Sequence, residues 1–498
     1  MKCTLKKELK IHIIYDNIYL IIYTLYWGYI FMSRNGLAII MAGATGTLLK
    51  SGMPSVMAEV MGKPLVGCVA SSVVSSGIKK IVTVVPAKDN YIKNYLAKTF
   101  PENNIDTVEQ ETPLGTAHAV MQALPYIEEI AKEDGHVLIL NGDTPFLDAN
   151  TIHGAFTHHL ASHNDITVIT AIVGKPFGYG RIIRNTSRDF VGIIEEQDAD
   201  SDVKRINEIS SGTFWFKASK LRDILNQLPP RANGHYNLVD AVSILIELGA
   251  KADTFFAPRS DIILGANNRL QLMELNTYAK MQEIEFHLSA GVNIPYADGV
   301  IIEPGVEIGI DTQILPNTII KGNSKIGKNC VIGPNSIISD SIIEDNAKLN
   351  NVQCYQSTVK NGADIGPFVH IRPNSVVGDN VHLGNFVEVK NSKIDEGTKV
   401  SHLTYVGDAD VGKRVNFGCG TVTVNYDGRN KHRTVIGDDV FIGCNTNLIA
   451  PVTVGDGAYT AAGSTITEDV PEDSLGIARA KQVNKIGWRI ANKDKYSK

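Results

Sequence analysis

Residues 365–389 read "IGPFVHIRPNSVVGDNVHLGNFVEV" and decide the fold of the C-terminal half of the chain. An aliphatic residue recurs at every sixth position, at Ile365, Ile371, Val377, Leu383 and Val389. A period of six is neither the 3.6 of an amphipathic helix nor the 2 of an ordinary strand. It is typical of a parallel β-helix, in which three short strands make one triangular coil and the coils stack on one another.

The same period extends on both sides of this stretch, often with glycine after the aliphatic residue. One segment, "TVNYDGRNKHRT" (423–434), interrupts it with polar and basic residues. We expect this segment to project as a loop, and loops on a rigid scaffold often carry binding residues. The other periodic aliphatic residues are Ile320, Ile326, Ile332, Ile338, Val359, Ile436, Ile442, Leu448 and Val454.

The N-terminal half has a different pattern. Short apolar runs at 37–43, 80–86, 135–143 and 166–173 alternate with helical stretches over most of this half. Such alternation predicts a Rossmann-like α/β domain with a mostly parallel sheet and helices on both faces. Ligands of such sheets bind beyond the carboxyl ends of the strands. A Gly/Thr loop after residue 43 and "NGD" at 141–143 fall at such ends.

These patterns divide the chain into four predicted segments. Residues 1–35 form an extension outside the fold, 36–267 the α/β domain, 268–291 a linking helix, and 292–498 the β-helix with its C-terminal tail. Gly291 ends the helix. The apolar residues expected on one face of that helix are Leu270, Met273, Met281, Ile284 and Leu288.

The first 31 residues carry four lysines before an apolar run that resembles a secretory signal. No small-residue cleavage site follows the run, and residues 18–31 are short of the roughly 20 that a membrane span needs. We therefore expect an extension that the fold does not require. A membrane-surface anchor is the alternative.

Composition limits the partners and the compartment. The 498 residues carry a net charge of -5, with 20% charged residues, so no basic surface for nucleic acid is expected. The six cysteines contain no C-x-x-C pair and fit neither a zinc site nor a disulfide framework. A reducing, cytoplasmic setting is expected.

Four C-terminal motifs carry a resemblance to a known family: "IRPNSVVGDNVHLGNFVEVKNS", "SHLTYVGDADVG", "NFGCGTVTVNYDG" and "NKHRTVIGDDVFIG". From about residue 37 to 489 the chain resembles the bifunctional N-acetylglucosamine-1-phosphate uridylyltransferases and glucosamine-1-phosphate acetyltransferases (GlmU). The resemblance implies that a left-handed β-helix transfers acetyl from acetyl-CoA to glucosamine 1-phosphate. It implies that the α/β domain makes UDP-N-acetylglucosamine, a cell-wall and lipopolysaccharide precursor, from UTP and N-acetylglucosamine 1-phosphate. It also implies a cytoplasmic homotrimer without membrane contact.

For acetyl transfer, the resemblance places the general base at His402. A single histidine in a coil is more often an ordinary exposed residue, and single surface cations are usually solvated. The functional roles of His402 and of the cations named next therefore depend on the four quoted motifs taken together. The implied sugar-phosphate and acetyl-group contacts are Arg372, Lys390, Tyr405, Asn416, Asn425 and Tyr426, with Lys431 nearby; those for acetyl-CoA are Cys419, Cys444, Ala462 and Arg479. Cys444 stands where the family has serine.

For uridylyl transfer, the resemblance implies a Mg²⁺ ion held by Asp143 and Asn267. The implied nucleotide and sugar contacts are Met41, Ala42, Gly43, Ala44, Gln110, Gly115, Thr116, Asn141, Gly142, Gly180, Glu195, Ser210 and Asn267.

The opening loop departs from the family pattern, L-A-A-G-x-G-T-R-M followed by P-K-V. The chain has Ala44 for the glycine, Leu48 for the catalytic arginine and Ser55 for the phosphate-binding lysine, and Ser210 replaces an asparagine. Losing two phosphate-binding cations costs on the order of 10³-fold in rate if they act like other phosphoryl clamps.

Two interpretations of the α/β domain stay open. One is a slow uridylyltransferase in which Lys50, Lys63 or Mg²⁺ compensates for the missing cations. The other is a non-catalytic binding or scaffolding module, which leaves acetyl transfer as the only activity. A scaffold without any enzymatic activity is a third alternative, which His402 and its neighbours disfavour.

Overall fold

The computed structural model describes residue 32 and residues 35–43, 49–103, 105–266 and 268–496. The predicted extension therefore lies almost wholly outside the described residues. The chain divides into two compact units, and the boundary along the sequence lies between Tyr278 and Ala279. That boundary falls inside a helix, so the predicted segment limits stay a prediction.

The first unit is an α/β unit. Its strands are β1 (Gly36–Met41), β2 (Glu59–Val60), β3 (Lys63–Pro64), β4 (Lys80–Pro86), β5 (Ile105–Gln110), β6 (His136–Asn141), β7 (Ile166–Ile172), β8 (Arg181–Arg184), β9 (Phe190–Ile194), β10 (Glu208–Lys217) and β11 (Ala252–Phe256). Its helices are α1 (Leu65–Ser75), α2 (Tyr91–Thr99), α3 (Thr116–Met121), α4 (Leu124–Lys132), α5 (Ala149–Ala161), α6 (Ala218–Leu225) and α7 (Leu238–Glu247).

The main sheet has the order β11-β7-β10-β6-β1-β4-β5. β1 pairs in parallel with β4 and β6, β4 with β5, and β11 with β7. This confirms the predicted mostly parallel sheet. The long strand β10 enters antiparallel between β6 and β7, and β8 and β9 form a hairpin beside it. Two buried clusters, one on each side of the sheet, form the core.

The second unit is a left-handed parallel β-helix with three sheets. The first contains β12 (Ile301–Ile302), β15 (Ile319–Lys321), β18 (Ile337–Ser339), β21 (Val352–Tyr355), β24 (Val369–Ile371), β27 (Glu388–Lys390), β30 (Tyr405–Gly407), β33 (Val422–Val424), β36 (Asn447–Ile449) and β39 (Thr465–Ile466). The second contains β13 (Glu307–Ile308), β16 (Lys325–Ile326), β19 (Ile342–Ile343), β22 (Thr358–Val359), β25 (Val376–Val377), β28 (Lys393–Ile394), β31 (Ala409–Val411), β34 (Thr434–Ile436) and β37 (Val452–Val454). The third contains β14 (Gln313–Ile314), β17 (Val331–Ile332), β20 (Lys348–Leu349), β23 (Asp364–Ile365), β26 (His382–Asn385), β29 (Lys399–His402), β32 (Asn416–Phe417), β35 (Phe441–Ile442), β38 (Tyr459–Thr460) and β40 (Leu475–Gly476).

The six-residue period places the recurring aliphatic side chains in a single continuous core. Every periodic aliphatic residue named above is buried. Many corners between strands use a left-handed backbone, frequently on asparagine, as at Asn335, Asn374 and Asn380. Asparagine tolerates this conformation better than most residues, because its short amide bonds to the local backbone. The sequence therefore marks both the core and the corners.

Helix α8 (Arg269–Ser289) crosses the boundary between the units, and α9 (Trp488–Ala491) and α10 (Lys493–Tyr496) end the described chain. The expected apolar face of α8 is wrong. Of its five members only Ile284 is buried, whereas Leu275, Ala279 and His287 are buried instead. The exposed members are Leu270, Met273, Met281 and Leu288.

The buried residues differ from the expected face because α8 crosses the boundary between the units. Its buried side chains therefore need not follow one stripe. No helix among the described residues combines the length and the apolarity that a membrane crossing demands.

Candidate functional site

A cavity of about 580 Å³ opens at the carboxyl edge of the α/β sheet. Met41, Gln110 and Asn141 enter it from the ends of β1, β5 and β6, as expected for parallel strands that end at one edge. It brings together most of the residues predicted for the nucleotide, the sugar and the metal ion. Those that line it are Met41, Gly43, Gln110, Gly115, Thr116, Asn141, Asp143, Gly180, Glu195 and Ser210.

Gln110 is held in a fixed position at one end of this cavity. Its Nε2 lies 2.9 Å from His118 Nδ1 and 3.4 Å from the carbonyl oxygen of Gly115. A Cβ on Gly43 would lie 2.6 Å from Gln110 Oε1, so only glycine lets the β1 loop approach this amide. A positioned amide with free donor and acceptor capacity suits the edge of a nucleobase. The sequence analysis missed His118, which gives no motif signal of its own.

Gly115 and Thr116 are fixed by the segment that precedes α7. Gly115 has a φ of 105°, which favours glycine, and a Cβ there would collide with the carbonyl oxygen of Tyr236. Thr116 Oγ1 accepts a hydrogen bond of 2.9 Å from the Leu238 amide. The turn that opens α3 is therefore rigid.

Glu195 faces the cavity from the end of the β8–β9 hairpin. Burial raises the pKa of its carboxyl group, the positive charge of Arg231 opposes this, and the carboxylates of Asp198 and Asp240 add to it. Gly180 lies against this carboxylate, since a Cβ there would be 3.4 Å from Glu195 Oε2. The Ser210 amide donates to the Gly180 carbonyl at 2.9 Å, so the serine that replaces the family asparagine lies in the same wall.

Asp143 lies deep in the cavity, where burial raises the pKa of its carboxyl group. Among the described residues it forms no ion pair. A buried carboxylate without a cationic partner fits a bound divalent cation, which would lower this pKa. Mg²⁺ typically takes one or two protein carboxylates and completes its shell with water and phosphate oxygens. The second predicted ligand, Asn267, lies outside the described residues.

Two residues predicted to contact the nucleotide, Ala42 and Gly142, do not line the cavity but lie behind its lining. Ala42 is fully buried and donates its amide to the Val84 carbonyl, and the Gly142 amide donates to the Met41 carbonyl. They shape the strand ends instead of lining the cavity.

The departures from the family pattern fall partly outside the described residues, which exclude Ala44 and Leu48. Ser55 is described and buried, at the start of a single 3₁₀ turn. Of the two lysines considered as substitutes, Lys63 donates a 2.7 Å hydrogen bond to Ser71, and Lys50 is exposed.

In the β-helix, His402 is exposed at the end of β29. Its Nδ1 lies 2.9 Å from Asn385 Oδ1, which belongs to the preceding coil and is directly opposite in the strand register. An amide oxygen can only accept, so Nδ1 carries the proton and the neutral ring keeps its lone pair on Nε2. That tautomer suits a general base. Sequence analysis missed Asn385, whose only signal is its distance of one coil from His402.

Around the next corner, three cations converge near Tyr405. Contact with the Lys390 ammonium lowers the pKa of Lys431, and the Tyr405 phenol lies close enough to influence both Lys431 and Arg372. Arg372 also bonds to Glu388 at 2.8 Å. Two adjacent ammonium groups repel unless an anion joins them, so the cluster suits a phosphate.

Asp408 contacts this cluster of cations. It accepts hydrogen bonds from Asn391 and Asn425 and lies 3.9 Å from Lys390 Nζ. Burial tends to raise the pKa of its carboxyl group, but the two amides and the nearby lysines hold it below its ordinary value. This carboxylate, absent from the sequence predictions, fixes the start of the loop that carries Lys431.

The interruption at 423–434 is a projecting loop, as predicted. Tyr426 and Lys431 form an isolated antiparallel bridge, and Asp427 caps the tip by accepting from the amides of Arg429 and Asn430. Asn425 is buried and donates to Asp408, whereas Tyr426 is exposed.

The predicted acetyl-CoA contacts form a column along one corner of the β-helix. The Asn445 amide donates to the Cys419 carbonyl at 2.7 Å, and the Gly463 amide donates to the Cys444 carbonyl at 2.8 Å. Gly463 follows Ala462 and lies against Arg479. We call Cys419, Cys444, Ala462 and Arg479 the acetyl-CoA column.

The column continues the corner that carries His402, because the Gly420 amide donates to the Leu403 carbonyl. Counted from the coil that carries His402, four coil steps of about 4.8 Å reach Arg479, a distance of about 19 Å that suits an extended ligand.

Asn416 is not brought to this corner within one chain. It lies opposite Lys399, at the other end of β29 from His402.

Comparison with known proteins agrees with both units. Residues 37–262 match the family described as nucleotidyl transferase, and residues 305–340, 357–391 and 433–468 match the bacterial transferase hexapeptide family. The chain is 44% identical to a protein named bifunctional protein GlmU from Acetivibrio thermocellus, over 91% of this chain and 97% of that one. It is 46% identical to the protein of the same name from Caldanaerobacter subterraneus, over 91% and 97%. The protein of that name from Thermoanaerobacter pseudethanolicus is 45% identical, over 90% and 96%.

Proposed function

The chain belongs to the GlmU family of bifunctional transferases, and from this premise we propose how its residues carry out two reactions. It transfers acetyl from acetyl-CoA to glucosamine 1-phosphate, and uridylyl from UTP to the resulting N-acetylglucosamine 1-phosphate. We assign uridylyl transfer to residues 36–267 and acetyl transfer to residues 292–498, joined by the helix within 268–291.

In acetyl transfer, the 2-amino nitrogen of the sugar attacks the thioester carbonyl, and His402 Nε2 takes the proton that this nitrogen loses as the N–C bond forms. The tetrahedral intermediate then expels the thiolate of coenzyme A. Arg372, Lys390 and Lys431 bind the sugar phosphate, and the acetyl-CoA column orients the thioester. The observation that carries this proposal is the free Nε2 of His402 one corner away from the cation cluster.

In uridylyl transfer, Gln110 binds the uracil edge and Glu195 the sugar, while Asp143 with Asn267 would hold Mg²⁺. A bound Mg²⁺ ion neutralises charge on the phosphates as it develops. The family's two loop cations are replaced by Leu48 and Ser55, so we expect this half-reaction to be slow. The alternative interpretation is a binding module, with acetyl transfer as the only chemistry.

We further propose a cytoplasmic homotrimer whose acetyltransferase sites lie between neighbouring β-helices. Phe368 and Phe386 stack with ring centroids 5.3 Å apart, and both are more than half exposed. Phe386 follows Asn385 in the chain and Phe368 stacks on it, so an apolar surface borders the site and favours cover by a second copy. Asn416, which a single chain places at the other end of β29 from His402, would serve a neighbouring site, and we assign the exposed Tyr426 to the same role. A monomeric mass in solution with full acetyltransferase activity would contradict this assembly.

The two half-reactions are tested separately on one preparation. Acetyl transfer is followed by release of the coenzyme A thiol, and uridylyl transfer by release of pyrophosphate from UTP and N-acetylglucosamine 1-phosphate. We expect the triple variant Ala44→Gly, Leu48→Arg, Ser55→Lys to raise the second rate by on the order of 10²-fold or more, since cations act where charge develops. Acetyl transfer should not change. A parent rate that the substitutions leave unaltered would reject the damaged-loop interpretation.

A further inference from the structure

Two free cysteines occupy equivalent positions on neighbouring coils. Asn416 pairs with Phe441 and Phe417 with Ile442, and two further residues in this register bring Cys419 opposite Cys444. The hydrogen bond from the amide after Cys444 to the Cys419 carbonyl keeps the same register at the corner.

The spacing of the coils suits a covalent bond between these residues. Hydrogen-bonded strands lie about 4.8 Å apart, which falls within the Cα separations of roughly 4.4–6.8 Å found for disulfides. Cys444 is exposed and Cys419 is half-buried, so reagents in solution reach the pair.

The other described cysteines lack this arrangement. Cys330 and Cys354 are buried in the core of the β-helix, and Cys68 belongs to the other unit. On the coils next to Cys330 and Cys354 the equivalent positions hold no cysteine: Ala347 follows Cys330, and Ile371 follows Cys354.

We propose that Cys419 and Cys444 form a reversible disulfide that switches off acetyl transfer. The inference rests on the proposed function, because both residues belong to the acetyl-CoA column. Cys419 is one coil from His402. The reacting thioester would lie beside His402 and therefore close to Cys419. A disulfide there replaces two small thiol side chains with a rigid bridge across the column and blocks the approach of the thioester.

The bond forms with hydrogen peroxide as the oxidant. The Cys444 thiolate attacks one peroxide oxygen and the O–O bond breaks, which leaves a sulfenic acid and, after protonation, one water molecule. The Cys419 thiolate then attacks the sulfenic sulfur, the S–O bond breaks, and the departing hydroxide takes up a proton as the second water molecule. Two thiols and one peroxide thus give one disulfide and two waters. A small dithiol reverses the reaction by exchange, as expected for a transient disulfide in a reducing compartment.

The test treats the full-length protein with a small molar excess of hydrogen peroxide, with and without later dithiothreitol. Remaining thiols are blocked, the chain is digested without reduction, and the peptides are identified by mass spectrometry. We expect a linked peptide pair that contains Cys419 and Cys444, a loss of two titratable thiols per chain, and at least tenfold lower acetyl transfer. Dithiothreitol should restore both thiols and activity.

The variants Cys444→Ser and Cys419→Ser are compared by the ratio of oxidised to reduced activity within each protein, because both substitutions alter the acetyl-CoA column itself. We expect this ratio to stay near one in both variants. Cys68→Ser is the matched control and should respond to peroxide like the parent.

Several results would overturn the proposal: a linked pair between two chains, a stable sulfinic acid on Cys444, an adduct with coenzyme A in place of the internal bond, or equal peroxide sensitivity of Cys444→Ser. If the linked pair forms and acetyl transfer persists, the inhibitory role is wrong. Absence of acetyl transfer in the reduced parent would instead reject the proposed function, since peptide mapping is independent of activity.

Discussion

Replacing Gly407 with alanine should impair amino-sugar binding by moving one ring, that of Tyr405. Gly407 lies in β30 opposite Lys390, in a strand conformation that alanine adopts freely. A Cβ on Gly407 would lie 2.6 Å from Tyr405 Cε1 and closer still to the phenol carbon and oxygen. Non-bonded carbon atoms pack at about 3.5–4.0 Å, so the ring must withdraw by about 1 Å.

A displacement of this size is costly because Tyr405 lies close to three of the residues proposed to bind the sugar phosphate. The phenol is close to Arg372 and Lys431 and accepts a 3.4 Å hydrogen bond from Asn425. A misplacement of about 1 Å costs on the order of 10²-fold in rate, which corresponds to about 2.7 kcal/mol. We expect kcat/KM for glucosamine 1-phosphate to fall by about this factor, while KM for acetyl-CoA changes less than about threefold.

A double-mutant cycle isolates the ring from general effects on the strand. In the Tyr405→Leu background, Gly407→Ala should cost less than about threefold, since the displaced group is already absent. Steady-state kinetics with each substrate varied in turn measure all four proteins. If Gly407→Ala costs as much without the ring as with it, or leaves KM for the amino sugar unchanged, the reasoning from the Cβ contact fails.

Three further predictions concern titratable groups. His402→Ala should lower kcat for acetyl transfer by about 10²–10⁴-fold and leave acetyl-CoA binding, measured by calorimetry, nearly intact; retention of half the activity would exclude His402 as the base. Asp143→Asn should abolish uridylyl transfer yet raise the melting temperature at pH 8 without Mg²⁺, because a carboxyl group whose pKa is raised by burial destabilises the fold when ionised; an unchanged melting temperature would contradict this. Burial lowers the pKa of His136 to about 4 and of His159 to about 3, so the unfolded chain binds more protons than the folded chain between pH 7.5 and 5.5, and stability should fall by about 2.7 kcal/mol over this range. His159→Leu should reduce this pH dependence in urea unfolding, and a parent protein equally stable at both pH values would refute the assignment.

The general plan of both units could be predicted from the sequence because each depends on a repeated local rule. In the β-helix, the recurring aliphatic residues fill one continuous core, so the period itself specifies the fold. In the α/β unit, buried strands ended by Gly and Asp predicted the cavity edge where Asp143 lies. The antiparallel entry of β10 and the buried residues of α8 gave no comparable signal, because they depend on contacts far apart in the chain.

The fine geometry of the acetyltransferase site depends on a departure from the period. Ile371 pairs with Val389 eighteen residues later, but Val389 pairs with Val406 only seventeen residues later. Strict extrapolation by six would direct Gly407 into the core, which a glycine cannot fill; the shorter coil instead buries Val406. Gly407 is then placed beside Lys390 and beneath Tyr405, where its missing side chain makes room for the ring. The same seventeen-residue step brings Asn385 opposite His402, so a single shortened coil both orients the proposed base and seats the ring that faces the sugar.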